Sequence, residues 1–162
     1  MPFIVKPMET EEELLGKAYV HWRSWHEAYA GLVPASYLDQ LTLEKCEQTA
    51  RRWPDNLLVA KDGERVVGFV GYGTSRDEDL PGAGDVFAIY VLGEYWGTGV
   101  GKTLMDAALK KLEQYGAVAV WVLKGNARAI RFYEKCGFLP DGREQTVNLG
   151  GPLPMIRMIL HR

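Results

Sequence analysis

Apolar residues recur along this chain with two periods, and each change of period marks a boundary between elements. Residues 3–6 have the β-branched and aromatic content of a short strand. From residue 11 to about 30 the apolar positions return every three or four residues, which is the spacing of one helix face. Thr10 followed three residues later by Glu13 forms a capping-box pattern, and Glu11 and Glu12 suit the positive end of the helix it opens. The run Gly31-Leu32-Val33-Pro34 breaks that helix; Pro34 and Thr42 then open short helices over about 35–41 and 43–53. Residues 56–61 and 64–73 flank Asp62-Gly63, a two-residue hairpin signal, and predict two antiparallel strands. A polar loop over 74–83 follows, with Asp77, Glu78 and Asp79 read either as solvated surface or as an attractor for a cationic acceptor.

The second half is more regular. Residues 84–91 read as a strand and 97–103 as a glycine turn. Leu104, Met105, Ala108, Leu109 and Leu112 then make a helical face, outside which Asp106 and Lys110 offer an i, i+4 pair. Gly116 stops the helix, and residues 117–123 are apolar without interruption, as a strand covered on both faces would be. Residues 85–123 therefore predict a parallel βαβ unit with a right-handed crossover. Asn126 stands at an N-cap, with Ala129, Phe132, Tyr133 and Cys136 on the buried face of the helix that follows and Gly137 at its end. Strands over 138–149 and 155–160, joined through Gly150-Gly151-Pro152, close the chain. The expected fold is α/β: one domain over residues 1–162, with a strongly twisted mixed sheet of six or seven strands, a central parallel βαβ unit, and four or five flanking helices.

Composition narrows the choice of partners. A formal charge of −2 carries no footprint for nucleic acid or an anionic membrane. No stretch approaches the ~20 apolar residues of a membrane span, and residues 1–6 lack the pattern of a leader, so a cytoplasmic protein is expected. Cys46 and Cys136 have no metal-ligand spacing and are read as two reduced, partly buried thiols, with no metal site.

Candidate chemistry concentrates on the strand, glycine turn and helix over 84–103. The first turn of a helix leaves backbone N–H groups unpaired at the positive end of its dipole, and glycines let an anion approach them. The dinucleotide fingerprint fails here because its third glycine would fall on Lys102 or Leu104, and the Walker pattern needs a glycine where Trp96 stands. The stretch resembles instead the acetyl-coenzyme A loop of the GNAT superfamily of N-acetyltransferases, [Gln/Arg]-x-x-Gly-x-[Gly/Ala] after a strand ending in valine. Val91, Gly99 and Gly101 match, while Trp96 stands at the Gln/Arg position, which removes one side-chain donor and keeps the backbone donors. The superfamily's companion pattern Asn-x-x-Ala-x-x-Phe-Tyr-x-Lys-x-Gly-Phe is met at every fixed position from Asn126 to Phe138.

The resemblance implies an N-acetyltransferase that moves an acetyl group from acetyl-coenzyme A to a primary amine by direct attack in a ternary complex. Its cosubstrate would lie on Trp96, Gly97, Thr98, Gly99, Val100, Gly101, Lys102 and Thr103, with Ile89 and Val91 holding the pantetheine arm and Asn126 either a contact or purely an N-cap. Tyr133 matches the acid that protonates the departing thiolate. Asp85, where relatives often carry Glu, would be the base, acting through water or raised by burial; a strand-edge or cap carboxylate is the other reading. Trp22, Trp25, His26 and Tyr29 share helical spacing and are either core or one wall of the acceptor pocket; His21 and His26 are either satisfied histidines or acceptor-site bases. Two other functions stay open at this point. A non-catalytic acyl-coenzyme A sensing module is disfavoured by the presence of Tyr133, and a nucleotide-phosphate transferase by the missing glycine. A homodimer is left open.

Overall fold

A computed structural model describes residues 3–162; Met1 and Pro2, where the stretch read for a leader begins, lie outside the described residues. The elements in order are β1 (Ile4–Pro7), α1 (Glu11–Ala28), α2 (Ala35–Gln40), α3 (Leu43–Arg52), β2 (Leu57–Asp62), β3 (Arg65–Thr74), β4 (Gly84–Val91), α4 (Val100–Lys111), β5 (Ala117–Leu123), α5 (Ala127–Lys135), β6 (Leu139–Asn148) and β7 (Pro152–His161), with a 3₁₀ turn at Gly93–Tyr95. One mixed sheet runs β1-β2-β3-β4-β5-β7-β6. Its one parallel pairing is β4 with β5, and α4 is the crossover. Among the described residues no helix is long and apolar enough to cross a membrane.

Helix α1 begins as its sequence requires. Thr10 accepts from the Glu13 N–H at 3.1 Å, and the Glu13 carboxylate returns to the Thr10 N–H at 3.1 Å. Glu13 also takes Lys6 of β1 at 2.7 Å and Lys61 of β2 at 3.1 Å, which ties the helix start to the sheet edge. These cations, Lys6 foremost, hold its carboxyl down at about 2 despite burial. The two sides of the sheet are set by neighbouring residues of β3, which point to opposite faces. Gly68 lies under Leu104 of α4, where a Cβ would come within 3.0 Å, while Phe69 packs against His21 of α1 with ring centroids 6.3 Å apart. The main core runs from Val59, Val67 and Val70 to Leu104, Met105, Val118 and Phe138.

Several boundaries move from their expected places. Helix α1 stops at Ala28, with Tyr29 as its cap. The β2–β3 turn is Gly63-Glu64, not Asp62-Gly63, because Asp62 still pairs with Arg65 and Gly63 takes the positive φ of 62°. Asp106 pairs with Lys102, one turn earlier, and not with Lys110. β7 starts at Pro152, so the closing strand is longer than 155–160. The acidic loop is not simply solvated. Arg157, 3% exposed, takes Asp79 at 2.7 and 2.8 Å, Asp77 at 3.1 Å and Asp141 at 2.7 Å, and Asp77 also accepts from Trp121 at 3.0 Å. Cys46 and Cys136 are both free thiols.

Candidate active site

Strands β4 and β5 pair only at Gly84 with Val118 and Asp85 with Ala119. Beyond that point each stays with its other neighbour, β4 with β3 as far as Val91 and β5 with β7 as far as Leu123. The parallel pair therefore opens like a wedge. Backbone groups of residues 86–91 on the β5 side lose their strand partner, and a buried polar backbone calls for another. A cavity of about 760 Å³ lies here, lined by Ile89 and Val91 on one side and Val122 and Leu123 on the other.

At the mouth of the wedge the chain turns through Gly97 (φ 76°) and Gly99 (φ 95°), both in the left-handed region that glycine alone enters cheaply. Gly99 is the N-cap, and α4 starts at Val100, so Gly101, Lys102 and Thr103 belong to the first helical turn rather than to a loop. The first N–H with an intrahelical acceptor is that of Thr103, to Gly99 O at 3.0 Å, which leaves those of Val100, Gly101 and Lys102 without backbone acceptors. The side chains divide by task. Gly97, Gly99, Gly101 and Lys102 line the cavity. Thr98 donates its hydroxyl to Tyr95 O, Thr103 donates to Gly99 O at 2.9 Å, and Val100 is wholly buried in the core. Gly101 has a second reason to be glycine: a Cβ there would stand 3.1 Å from the Phe132 ring of α5.

Trp96 closes this turn. Its indole N–H donates to Val91 O at 2.9 Å, engaging a backbone group of the strand end. Its face carries the Arg128 guanidinium 3.7 Å from the ring centroid. Arg128 comes from α5, so a cation reaches the turn from another element at the position where the sequence pattern has lost one. Lys102, Arg128, Arg131 and Lys135 all line the cavity on its α4 and α5 side.

Tyr133 lines the same cavity and is 8% exposed; burial pushes its hydroxyl pKa well above the ordinary value, so it is protonated at neutral pH. Asn126 caps α5 by accepting from the Ala129 N–H at 3.2 Å and also lines the cavity. Asp85 is 6% exposed at the closed end of the wedge. Burial first, and the charge of Asp77 second, raise its carboxyl to about 7. It is not part of the cavity wall, and Ile89 lies four residue steps along the strand, roughly 13 Å at the usual rise.

The α1 stripe splits. Trp25 and Tyr29 line the cavity, their rings 4.9 Å apart and nearly perpendicular. Trp22 packs on the small cluster of Ala18, Cys46 and Ala50 between α1 and α3, and His26 Nδ1 lies 2.8 Å from Trp22 O, so neither reaches the cavity. His21 is packed against Trp25 and Phe69, and burial lowers its pKa to about 4. Tyr90 of β4, unmarked in the sequence, joins its hydroxyl to that of Tyr29 at 2.9 Å inside the cavity. Its strand alternation identified it only as a strand residue.

The chain matches the acetyltransferase (GNAT) family over residues 18–138. Among curated proteins it is 32% identical over 170 residues to the uncharacterised N-acetyltransferase YuaI of Bacillus subtilis, a match covering 93% of this chain and 95% of that protein. It is 35% identical to a mycothiol acetyltransferase of Propionibacterium freudenreichii across 55% of this chain and 30% of that one. Among solved structures, the PaiA N-acetyltransferase of Thermoplasma acidophilum, determined in complex with coenzyme A, superposes with a TM-score of 0.76 at 21% identity over 100% of both chains. PH1933 of Pyrococcus horikoshii does so at 0.75 and 22% over 99% of each. These two likenesses establish the fold.

Proposed function

Because this chain belongs to the GNAT family of acetyltransferases, we propose that residues 1–162 form one domain that transfers the acetyl group of acetyl-coenzyme A to a primary amine by direct attack in a ternary complex. The observation that carries the proposal is the wedge between β4 and β5 with a cationic, N–H-rich turn at its mouth. The residues present fit the cosubstrate. Unpaired N–H groups of Val100, Gly101 and Lys102 suit a pyrophosphate, each charge-assisted hydrogen bond contributing about 1.5 to 3 kcal/mol. Arg128 on Trp96 supplies the side-chain cation, and the free edge of β4 around Ile89 and Val91 supplies partners for an amide-bearing arm and donors for a developing oxyanion.

Two protons must move. An amine of pKa about 10 is neutral in only about one molecule in a thousand at pH 7, equivalent to roughly 4 kcal/mol. Asp85, raised to about 7, is matched to that task as a general base, and its place away from the wall makes a water relay the route. The Tyr133 hydroxyl gives its proton to the thiolate as the carbon–sulfur bond breaks, and solvent returns it.

Binding tests the site directly. Gly99→Val places a β-branched residue at φ 95°, which should distort the turn while the helix and core remain. Calorimetry should show acetyl-coenzyme A affinity falling by at least about tenfold with circular dichroism unchanged, as expected for loss of aligned N–H donors. Unchanged affinity in the folded variant would overturn the assignment.

A further inference from the structure

We infer that the acceptor is a small amine with a single amino group on an apolar or aromatic body, and not a polyamine, an aminoglycoside or a polypeptide. This rests on the acetyl-transfer reading above and adds the substrate class. The charges in the cavity are the first argument. Its cations all come from α4 and α5, and among the described residues no Asp or Glu lines it. Asp77 and Asp79 of the acidic loop, which could have drawn a polycation, are committed to Arg157 instead. A second ammonium on the acceptor would lie unpaired against apolar side chains, which is a costly burial.

The wall away from the phosphate turn is the second. Trp25, Tyr29, Tyr90, Val147, Leu149 and Met155 form it. Tyr29 and Tyr90 share one hydroxyl–hydroxyl hydrogen bond, and their rings present mainly apolar faces. Such faces attract one incoming ammonium, and the desolvation they impose lowers its pKa towards the neutral form that attacks. Ser24 and Trp25 add polar contacts: both line the cavity, Ser24 is 1% exposed, and neither the Ser24 hydroxyl nor the Trp25 indole N–H has a hydrogen-bond partner among the described residues. A buried hydroxyl left without a partner is suited to a ligand that supplies one.

Packing behind this wall is the third. The β6–β7 turn sits on α2 so closely that a Cβ at Gly150 would come within 2.8 Å of Tyr37. Val33, Leu38 and Leu123 are buried beneath that contact, with Tyr37, Leu149 and Leu153 packed around them. Leu123 and Leu149 belong both to this packed cluster and to the cavity wall, and a polypeptide backbone laid along that apolar wall would leave its N–H and C=O groups without partners, so a compact apolar body fits it better.

The test is a thiol-release panel of 2-phenylethylamine, 3-methylbutylamine, spermidine, kanamycin and an unblocked tripeptide, alongside thermal-shift measurement with acetyl-coenzyme A. The apolar monoamines should exceed the other three in kcat/KM by about a hundredfold, the scale of discrimination an apolar pocket reaches against a misplaced polar group. 2-Phenylethylamine should also raise the melting temperature of the coenzyme A-loaded protein, whereas spermidine should not. Leu149→Glu should shift the kcat/KM ratio of 1,5-diaminopentane to 3-methylbutylamine upward by about tenfold, which a merely structural role for Leu149 would not produce. Acetyl-coenzyme A binding together with preference for spermidine, kanamycin or the tripeptide, or with no turnover of either apolar amine, overturns the inference and leaves the cosubstrate assignment standing. Absence of acetyl-coenzyme A binding overturns both.

Discussion

Asp85 and Tyr133 are both buried, and burial moves both pKa values upward with opposite consequences. For Tyr133 the shift secures the proton at neutral pH and also makes the hydroxyl a weaker acid. Tyr133→Phe keeps the ring that packs on Phe132 and Phe138, so turnover should fall by about 10² to 10⁴ while acetyl-coenzyme A affinity is nearly kept. A variant that loses melting temperature but retains its rate per folded molecule would remove Tyr133 from the mechanism. For Asp85 the shift converts a weak base into one matched to neutral pH, and it also costs stability. The folded state holds this proton to about pH 7 and the unfolded chain to about 4, so stability falls as pH rises between those values and is lowest above pH 7. The difference amounts to roughly 4 kcal/mol at most. Asp85→Asn should therefore melt higher than the parent protein at pH 8 and close to it at pH 4.5, as followed by calorimetry; identical pH dependence in the two proteins would contradict the buried carboxyl.

At the scale of elements, what could be read from sequence is what local physics decides. The Thr10–Glu13 box, the αL glycine before α4 and the Asn126 cap each act within one turn of chain, and the structure has all three. The order of strands and the parallel β4–α4–β5 unit follow from period and connection rules. Where pairing stops is not local. That β4 and β5 part after Asp85 and Ala119 depends on what β3 and β7 do alongside them, which the apolar pattern of either strand does not record. The α1 stripe shows the same limit: spacing put Trp22, Trp25, His26 and Tyr29 on one face, but Trp22 packs on the cluster shared with α3 and His26 turns back onto Trp22 O, so only Trp25 and Tyr29 line the cavity. By sequence alone Trp96 costs the glycine turn a side-chain donor. Its partner Arg128 lies on another helix, and a cation–π contact across elements leaves no mark in the spacing of either motif. Tyr90 was hidden likewise, because its role arises from a hydroxyl pair with Tyr29 that only the folded sheet brings together.

The molecule as a whole separates charge from apolar surface along one cleft. Cations and free N–H groups line it along the first turn of α4 and the length of α5, aromatic and aliphatic side chains where α1 meets the β6–β7 pair, and Tyr133 is part of the same wall. Under the proposed reading such a division suits an anionic carrier and an apolar amine sharing one cavity, where proximity alone can supply much of the rate without a covalent intermediate. Acetyl-coenzyme A labelled in its acetyl carbonyl, mixed with the protein in single turnover with and without 2-phenylethylamine, tests this most directly. The account predicts that label leaves coenzyme A only when the amine is present, appears as the amide, and is never found on the protein. Label on the protein in the absence of amine, or label remaining on coenzyme A when the amine is saturating, would contradict it.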